Sequence, residues 1–478
     1  MNFLLKLIFY LPTWSILVVA GLPGCFADYS SPECENNADC PVQFDHCFGG
    51  YCILKKGAVW PPVVADSVVD VSGAAGDVAL DTKADGANAD TSESFCVAIA
   101  DGCCALPLNE RNLDPDCTVW ELGALGSQPA IPAVDRERGR IHLVYHTKMT
   151  TDCMLQSFDL ETGKSFAALP FPCDRTLNPV VLPGGDVLAY SSVVFRFDGR
   201  LNKVAWWKES SDLPGPITAP ASVQGYQTAL VSDQTLIGID ALTGEQIAGW
   251  THPSGASLSA PLWKGTTLFL ATSDGTVLRF PTLQGGENTK GELGNQGTPA
   301  PPVPWLSEKI AVIIGTSPPS DNVFAVRTVG NYPTWAGSNR VEKVDVLTEP
   351  VVIAGGVLTV RQTDGSLVFV SPGLGLQPLD VESTNLTSPM VVTRSAILAG
   401  TNEGVVAIHP VTGRVLWTYA TAAPLYQPPV PVGDGTAIVV TSDARVIRIA
   451  GVPDGLDAGS PWPKPRGNLA NTGATDTP

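Results

Sequence analysis

Positive charge is scarce in this chain. Its 478 residues carry 29 Lys and Arg against 47 Asp and Glu, a formal net charge of −18. A phosphate backbone is gripped by clustered Lys and Arg, so this balance argues against nucleic acid as a partner and suits an envelope or extracellular surface. Histidine is scarce as well. The five residues His46, His142, His146, His252 and His409 are scattered, and the four-residue step from His142 to His146 puts two rings on one strand face rather than on one helical turn. All are expected to be surface or turn residues. A Gly-x-Ser-x-Gly elbow, a phosphate-binding loop, a metalloprotease helix and a Cys-x-x-Cys-His haem site are all missing. Their absence removes familiar signatures of acyl, phosphoryl, peptide and electron-transfer chemistry. Cysteine is absent after Cys173, so the rest of the chain must hold together without staples. Past the N-terminus no apolar run is long enough to span a membrane.

The N-terminus itself has targeting character. Lys6 precedes an apolar run from Leu7 to Ala20, broken by Pro12 and Thr13, with the proportions of a signal peptide. The run ends Leu22-Pro23-Gly24-Cys25, which resembles the lipobox of bacterial lipoproteins and would make Cys25 the lipidated residue of a segment 1–25. Ordinary cleavage after Ala27 is the alternative. Setting Cys25 aside leaves ten cysteines, an even set suited to an oxidising compartment. Cys34, Cys40, Cys47 and Cys52 lie in a module, residues 26–56, too small for a core of its own. Two disulfides there would stabilise it, and it resembles the short Cys-rich repeats at the N-termini of surface lipoproteins. Zinc is the competing reading, with His46 beside Cys47, although paired Cys-x-x-Cys arms are lacking. Residues 57–95 read as a flexible acidic linker, without aromatics from Val64 to Ser94. A disulfide-rich lead-in, 96–117, follows. Its vicinal Cys103-Cys104 is expected to bridge to separate partners among Cys96, Cys117, Cys153 and Cys173.

From residue 118 to 478 the chain is periodic. The stretch Ser388–Thr421 reads as four short strands, with Glu403-Gly404 and Thr412-Gly413 as turns. Such a meander has two open edges and needs neighbours like itself. Pro389 has counterparts at Pro132, Pro179, Pro220, Pro261, Pro301, Pro350 and Pro429, at intervals of 47, 41, 41, 40, 49, 39 and 40. A repeat near 40 residues with four strands each predicts an all-β, eight-bladed β-propeller. The unit from Pro429 lacks a fourth strand, and Thr118–Leu122 has the form of the missing one, so the N-terminal strand is expected to close the last blade. Fourth strands elsewhere often carry Trp: Trp207, Trp250, Trp335 and Trp417, with Trp120 in the closing strand and Phe166 in the first unit. A ring there can dock against the next blade, but these residues are expected to be simply structural core of the blades and not catalytic.

The runs Leu236–Trp250 (LIGIDALTGEQIAGW) and Val405–Tyr419 (VVAIHPVTGRVLWTY) resemble the PQQ-type repeat, an aliphatic pair, Ala-Leu-Asp, a Thr-Gly-Lys turn and Leu-Trp. Ser460–Gly473 is similar to the Trp-Pro…Arg-Gly…Asn-Thr-Gly segment that flanks such propellers. WD-type and kelch-type signatures are absent. The resembling family holds quinoprotein dehydrogenases and also non-catalytic scaffolds such as BamB, the lipoprotein of the outer-membrane barrel-assembly machinery. The resemblance therefore implies a fold and leaves the activity open. The dehydrogenases need a Ca²⁺ held by Glu, Asn and Asp, a catalytic Asp and an axial Trp, and no such set aligns with this chain. The expected function is therefore a monomeric, lipid-anchored scaffold of the bacterial envelope that binds envelope proteins or glycans and holds no cofactor. The alternative is a PQQ- and Ca-dependent dehydrogenase of alcohols or sugars.

Overall fold

The computed structural model describes residues 44–48, 51–54 and 117–472, apart from 148–151, 202–203, 284–288, 293–297, 307–308, 316–321, 328–333, 336–349, 354–355, 361–366, 372–374, 379–384, 411, 453–454, 458–463 and 469. The expectations for Cys25, Cys34, Cys40, Cys96, Cys103, Cys104 and the linker lie outside these residues. Contacts divide the chain into two units. The first contains most of a two-stranded sheet, Phe44–Phe48 with Tyr51–Leu54, on which Cys47 and Cys52 sit. The second contains every strand from Thr118 on and, among the described residues, no α-helix.

Eight antiparallel sheets of four or five strands follow one another in this second unit. They are numbered here in chain order: sheet 1 runs from Gly126 to Phe171, sheet 2 from Val180 to Lys208, sheet 3 from Ala219 to Thr251 and sheet 4 from Leu262 to Glu292. Sheet 5 spans Thr298 to Trp335, sheet 6 Val351 to Pro378, sheet 7 Leu386 to Ala420 and sheet 8 Val430 to Ala450. Sheet 8 has only three strands of its own. Its fourth is Thr118–Leu122, which pairs antiparallel with Val446–Ala450, Trp120 opposite Arg448 and Leu122 opposite Val446. The chain thus joins its two ends within one sheet, and Thr118 Oγ1 sits 2.6 Å from the Tyr419 hydroxyl, 301 residues away.

In sheets 2, 3, 7 and 8 the first strand is mostly buried, whereas the fourth strands of sheets 2, 3 and 8 run between half-buried and exposed. Two opening prolines, Pro220 and Pro389, lie inside first strands where the ladder is irregular, between Ala219 and Ser222 and between Leu386 and Met390. Proline offers no N–H to a ladder, so an irregular edge strand is where it fits.

The turns before the fourth strands of sheets 1 and 3 share an Asp-x-x-Thr-Gly pattern, and sheet 7 keeps its Thr-Gly. Asp159 Oδ1 accepts from the backbone N–H groups of Glu161 and Thr162 and from the Thr162 hydroxyl, and Gly163 N donates to Asp159 O at 2.9 Å. Those hydrogen bonds, Thr162's first, hold the Asp159 carboxyl below its ordinary pKa. In sheet 3, Asp240 Oδ1 takes Leu242 and Thr243 in the same way, with Gly244 N on Asp240 O at 2.7 Å. In sheet 7 His409 replaces the aspartate, its Nδ1 accepting from Thr412 N at 3.2 Å. Glycine is required at the end of the turn because φ is positive there, +68° at Gly163 and +78° at Gly244.

These turns are also where successive sheets lock together. Trp120 of sheet 8 lies on Gly163 of sheet 1 and donates its indole N–H to Leu160 O at 3.2 Å. Trp206 of sheet 2 lies on Gly244 of sheet 3 and donates to Ala241 O at 2.9 Å. Each ring is paired across the ladder with an arginine that reaches the same turn. Arg448 donates to Leu160 O at 2.9 Å and is held by Asp434; Arg196 donates to Leu242 O at 2.7 Å and is held by Asp186. One device therefore closes the junction of sheets 8 and 1 and that of sheets 2 and 3.

A bulge aims the ring. The register shifts in the fourth strands of sheets 1, 2, 3, 7 and 8, leaving Phe166, Ala205, Ile247, Leu416 and Val119 without a ladder partner. An extra residue twists the strand and turns the next side chain inward. Three of these extra residues, Val119, Phe166 and Leu416, are among the most exposed large apolar side chains of the protein. Their exposure is the geometric consequence of the bulge.

Removing the ring tests this junction. Trp120→Ala is expected to cost about 3 kcal/mol, the low end for a packed aromatic. Gly163→Ala places a Cβ 2.8 Å from the same ring at positive φ and is expected to cost ~2 kcal/mol alone, but only ~1 kcal/mol when Trp120 is already alanine. Urea unfolding of the double-mutant cycle measures the difference, and strictly additive costs would refute the contact.

Candidate functional site

Propeller-like stacks of sheets present three surfaces: an inner face along the first strands, and two ends made of turns and loops. Part of the inner face is occupied by the chain itself. After sheet 8, Leu456 bridges to Thr393 and Asp457 N donates to Val392 O, both on the first-strand side of sheet 7. Residues 464–472 then lie along the first strands of sheets 1 to 4. Val181 N donates to Ala470 O at 3.1 Å and Val223 N to Thr472 O at 2.6 Å, so the tail satisfies open inner edges. Asn471 Nδ2 donates to Ile131 O and Pro179 O. Arg466 Nη2 donates to Ala221 O at 2.8 Å and Pro261 O at 3.0 Å. Lys464 Nζ is surrounded by Pro465 O, Asn468 O and Asn471 Oδ1. Lys464, Arg466 and Asn471 are all 0 % exposed, and the hydrogen bonds above offset part of the cost of burying such polar side chains. The Pro-rich Arg-Gly…Asn-Thr-Gly tail is therefore a strap across the inner face.

One end of the stack is formed by the hairpins between second and third strands together with the loops joining successive sheets. Serines tie the two sets together. Ser192 Oγ donates to Asp174, Ser257 Oγ to Asp233 and Ser254 Oγ to Asp274, each at 2.8 or 2.9 Å. His252 Nδ1 lies 2.8 Å from Ser254 Oγ and its ring stands edge-on to Trp250. Burial pushes the Asp274 carboxyl up, but bonds from Thr272 and Ser254 and the nearby His252 outweigh it, so the group titrates below its ordinary range. Ser254, His252 and Asp274 do not make a catalytic relay, because the serine hydroxyl gives its proton to the carboxylate rather than facing open space. Asp174, Glu209, Asp212, Asp233, Asp274, Glu403 and Asp443 give this end an acidic cast against Arg175, Lys208 and Arg445.

The candidate residues fall as follows. Cys153 and Cys173 bond to each other across sheet 1, so neither serves Cys103 or Cys104; Cys117 is also disulfide-bonded. The expected choice of four partners was too wide because the third strand and the end of the fourth bring 153 and 173 together only in the folded sheet. Trp417 is buried between sheets 7 and 8, and Trp250 packs edge-on against Phe280 of sheet 4. Trp335 lies in the fourth strand of sheet 5, opposite Val326. Trp207 departs from expectation. It is exposed and stacks on Phe195 of its own sheet, while Trp206 makes the junction. The bulge at Ala205 decides which neighbour faces forward, and residue spacing alone does not reveal it.

His142 also departs from expectation. It is neither surface nor turn but fully buried between sheets 1 and 2, opposite Ser157, and neither ring nitrogen has a hydrogen-bond partner among the described residues. Burial, reinforced by Arg140, pushes its pKa from 6.5 down to about 3. Among the described residues, the polar side chains near the first strands are engaged by the protein itself rather than arranged to ligate Ca²⁺ and neutralise a tricarboxylate such as PQQ. Asn178 Oδ1 is taken by Ile131 N, Asp135 by Arg138 and Asp434 by Arg448. These residues do not fit that cofactor.

Comparison with known proteins is consistent with this architecture. Residues 376–458 match the family described as outer membrane protein assembly factor BamB. BamB from Moraxella catarrhalis superposes with a TM-score of 0.52 at 16% identity, over 70% of this chain and 99% of that one. The computationally designed Ika8 protein gives 0.51 at 14% identity, over 70% and 99%. Sqt1 from Saccharomyces cerevisiae gives 0.54 at 11% identity, over 71% and 99%. No curated protein sequence matches. The chain is thus an all-β propeller with PQQ-like repeats, similar in fold to BamB.

Two outcomes check these placements. Arg466→Met leaves the Ala221 and Pro261 carbonyls without their donor and is expected to lower stability in urea by about 2–3 kcal/mol. Below pH 6.5 the unfolded chain protonates His142 while the folded chain resists until about 3, so its contribution to stability falls across that window. Thermal melts should show His142→Leu flattening the acid decline of the wild type; parallel declines would remove His142 as a cause.

Proposed function

We propose that this PQQ-like-repeat, BamB-like propeller is a non-catalytic binding scaffold of the bacterial cell envelope, an eight-bladed closed ring that presents its turn-and-loop end to envelope proteins or glycans. The observation that carries the reading is the strap at residues 464–472. A propeller enzyme uses its inner face and the loops above it for a cofactor, whereas here buried Lys464, Arg466 and Asn471 fill part of that face with the protein's own chain. The serine–aspartate ties at one end support the same reading, since pre-ordered loops lose less entropy on binding a partner. Export, lipidation at Cys25 and a monomeric state complete the proposal; they rest on the N-terminal sequence and on the resemblance to BamB.

Titration of the purified protein with PQQ and Ca²⁺ is expected to show neither binding nor dye-linked oxidation of an alcohol or aldose. Micromolar binding with turnover would overturn the scaffold reading in favour of the dehydrogenase. Cys25→Ser is expected to move the protein from the membrane fraction to the soluble one, and its persistence on membranes would place the anchor elsewhere.

A further inference from the structure

One corner of sheet 1 gathers three metal-ligating side chains. His146, near the end of the second strand, stands directly opposite Cys153, the first residue of the third. Cys173 follows the fourth strand, whose Phe171 pairs with Cys153. The ligand atoms of His146, Cys153 and Cys173 all lie within 4.8 Å of one another. Cys153 is buried, while His146 and Cys173 are part-exposed at the loop end. In the structure the two sulfurs are joined, and disulfide sulfur carries no charge and binds cations poorly.

We propose that reduction of the Cys153–Cys173 bond turns this corner into a site for a borderline-soft divalent cation of the zinc class, with Cys153, Cys173 and His146 as ligands and water in the fourth position. The geometry is already close. A tetrahedral zinc with bonds of ~2.3 Å to sulfur and ~2.0 Å to nitrogen holds its nitrogen and sulfur ligands about 3.5 Å apart. His146 Nδ1 lies 3.7 Å from Cys173 Sγ. Only the Cys153 sulfur has to turn away from its partner, and both backbones are held by strand pairing or by the short Phe171–Cys173 connection.

The step balances as follows. A dithiol reductant supplies two electrons and two protons, becomes a disulfide itself and leaves two thiols on the protein. Attack begins at the part-exposed Cys173 sulfur. The cation then binds two thiolates and a neutral imidazole, releasing the two thiol protons. In an oxidising compartment the corner is a staple of sheet 1. Where a dithiol reductant reaches it, it becomes a metal site.

The test uses the full-length chain reduced with a metal-compatible phosphine, with and without Zn²⁺, then alkylated with N-ethylmaleimide and resolved cysteine by cysteine in a mass spectrometer. Residue-level readout is needed because other cysteines of the chain can also take zinc. Zinc is expected to slow alkylation of Cys173 about tenfold or more in the wild type. His146→Ala and the near-isosteric His146→Gln should abolish that protection without changing it at Cys34, Cys40, Cys47 or Cys52. Zinc should also raise the melting temperature of the reduced wild type but not of His146→Gln. Equal alkylation of Cys173 with and without zinc overturns the proposal. So does protection that survives both His146 variants, and so does a reduced chain that has lost its far-UV spectrum and is not rescued by zinc.

Discussion

A four-stranded meander with apolar inner strands cannot bury its faces or close its edges alone, and that constraint governs the rest. The face problem is solved between neighbours. Sheet 8 packs on sheet 1 through Ile131, Ile141, Leu143 and Val446, sheet 2 on sheet 3 through Tyr190, Leu230 and Ile237, and sheet 3 on sheet 4 through Trp263 and Leu270. Apolar contact is not directional, however, and cannot alone set the rotation between two sheets. The arginine–tryptophan pairs supply that. Arg196 with Trp206, and Arg448 with Trp120, read the carbonyls of a turn whose shape is itself held by an aspartate and a glycine. A one-residue bulge supplies the aim. The outer-edge exposure of Val119, Phe166 and Leu416 is a by-product of that device rather than a sign of a missing partner.

The edge problem is solved at both ends of the chain. The N-terminal strand Thr118–Leu122 covers the outer edge of Val446–Ala450, and the C-terminal strap covers inner edges of sheets 2 and 3. A chain that closes on itself twice resists opening from either terminus, because unravelling one end exposes an unpaired strand while the other still holds. Burying Lys464 and Arg466 is costly unless donors meet acceptors: Lys464 finds Pro465 O, Asn468 O and Asn471 Oδ1 within the strap, and Arg466 Nη2 finds Ala221 O and Pro261 O on the first-strand side of the sheets. The prolines contribute indirectly. Pro220 and Pro389 lack an N–H and the ladder is irregular around them, while Pro179 O and Pro261 O, just before their strands, accept from the strap.

The strap fills part of the inner face, and at one end of the stack serine–aspartate ties hold hairpins against loops. The acidic cast of one end matches the charge of the whole chain and is ill suited to nucleic acid. The Cys153–Cys173 corner stands apart. It lies at the loop end of a sheet rather than on the inner face, and it couples a structural staple to a ligand set.

Much of the fold was legible from local sequence. Strand alternation, Asp-x-x-Thr-Gly turns and the spacing of Pro132 to Pro429 are properties of consecutive residues, and each reports on a turn or strand that forms within about ten positions. Even the long-range closure by Trp120 could be read, because its strand repeats a pattern and one unit lacks that strand. The tertiary structure decided the rest. Spacing pointed to Trp207, and a bulge at Ala205 turned Trp206 forward instead. Nothing local marks His142 as buried, since its environment is made by sheet 2, whose strands begin 38 residues later at Val180. The pairing of Cys153 with Cys173, the strap at 464–472 and the approach of His146 to both sulfurs depend on which strand ends meet in space. Sequence determined the periods of the chain, because period is a local property; its sites came from packing, because a site is made of residues that only the fold brings together.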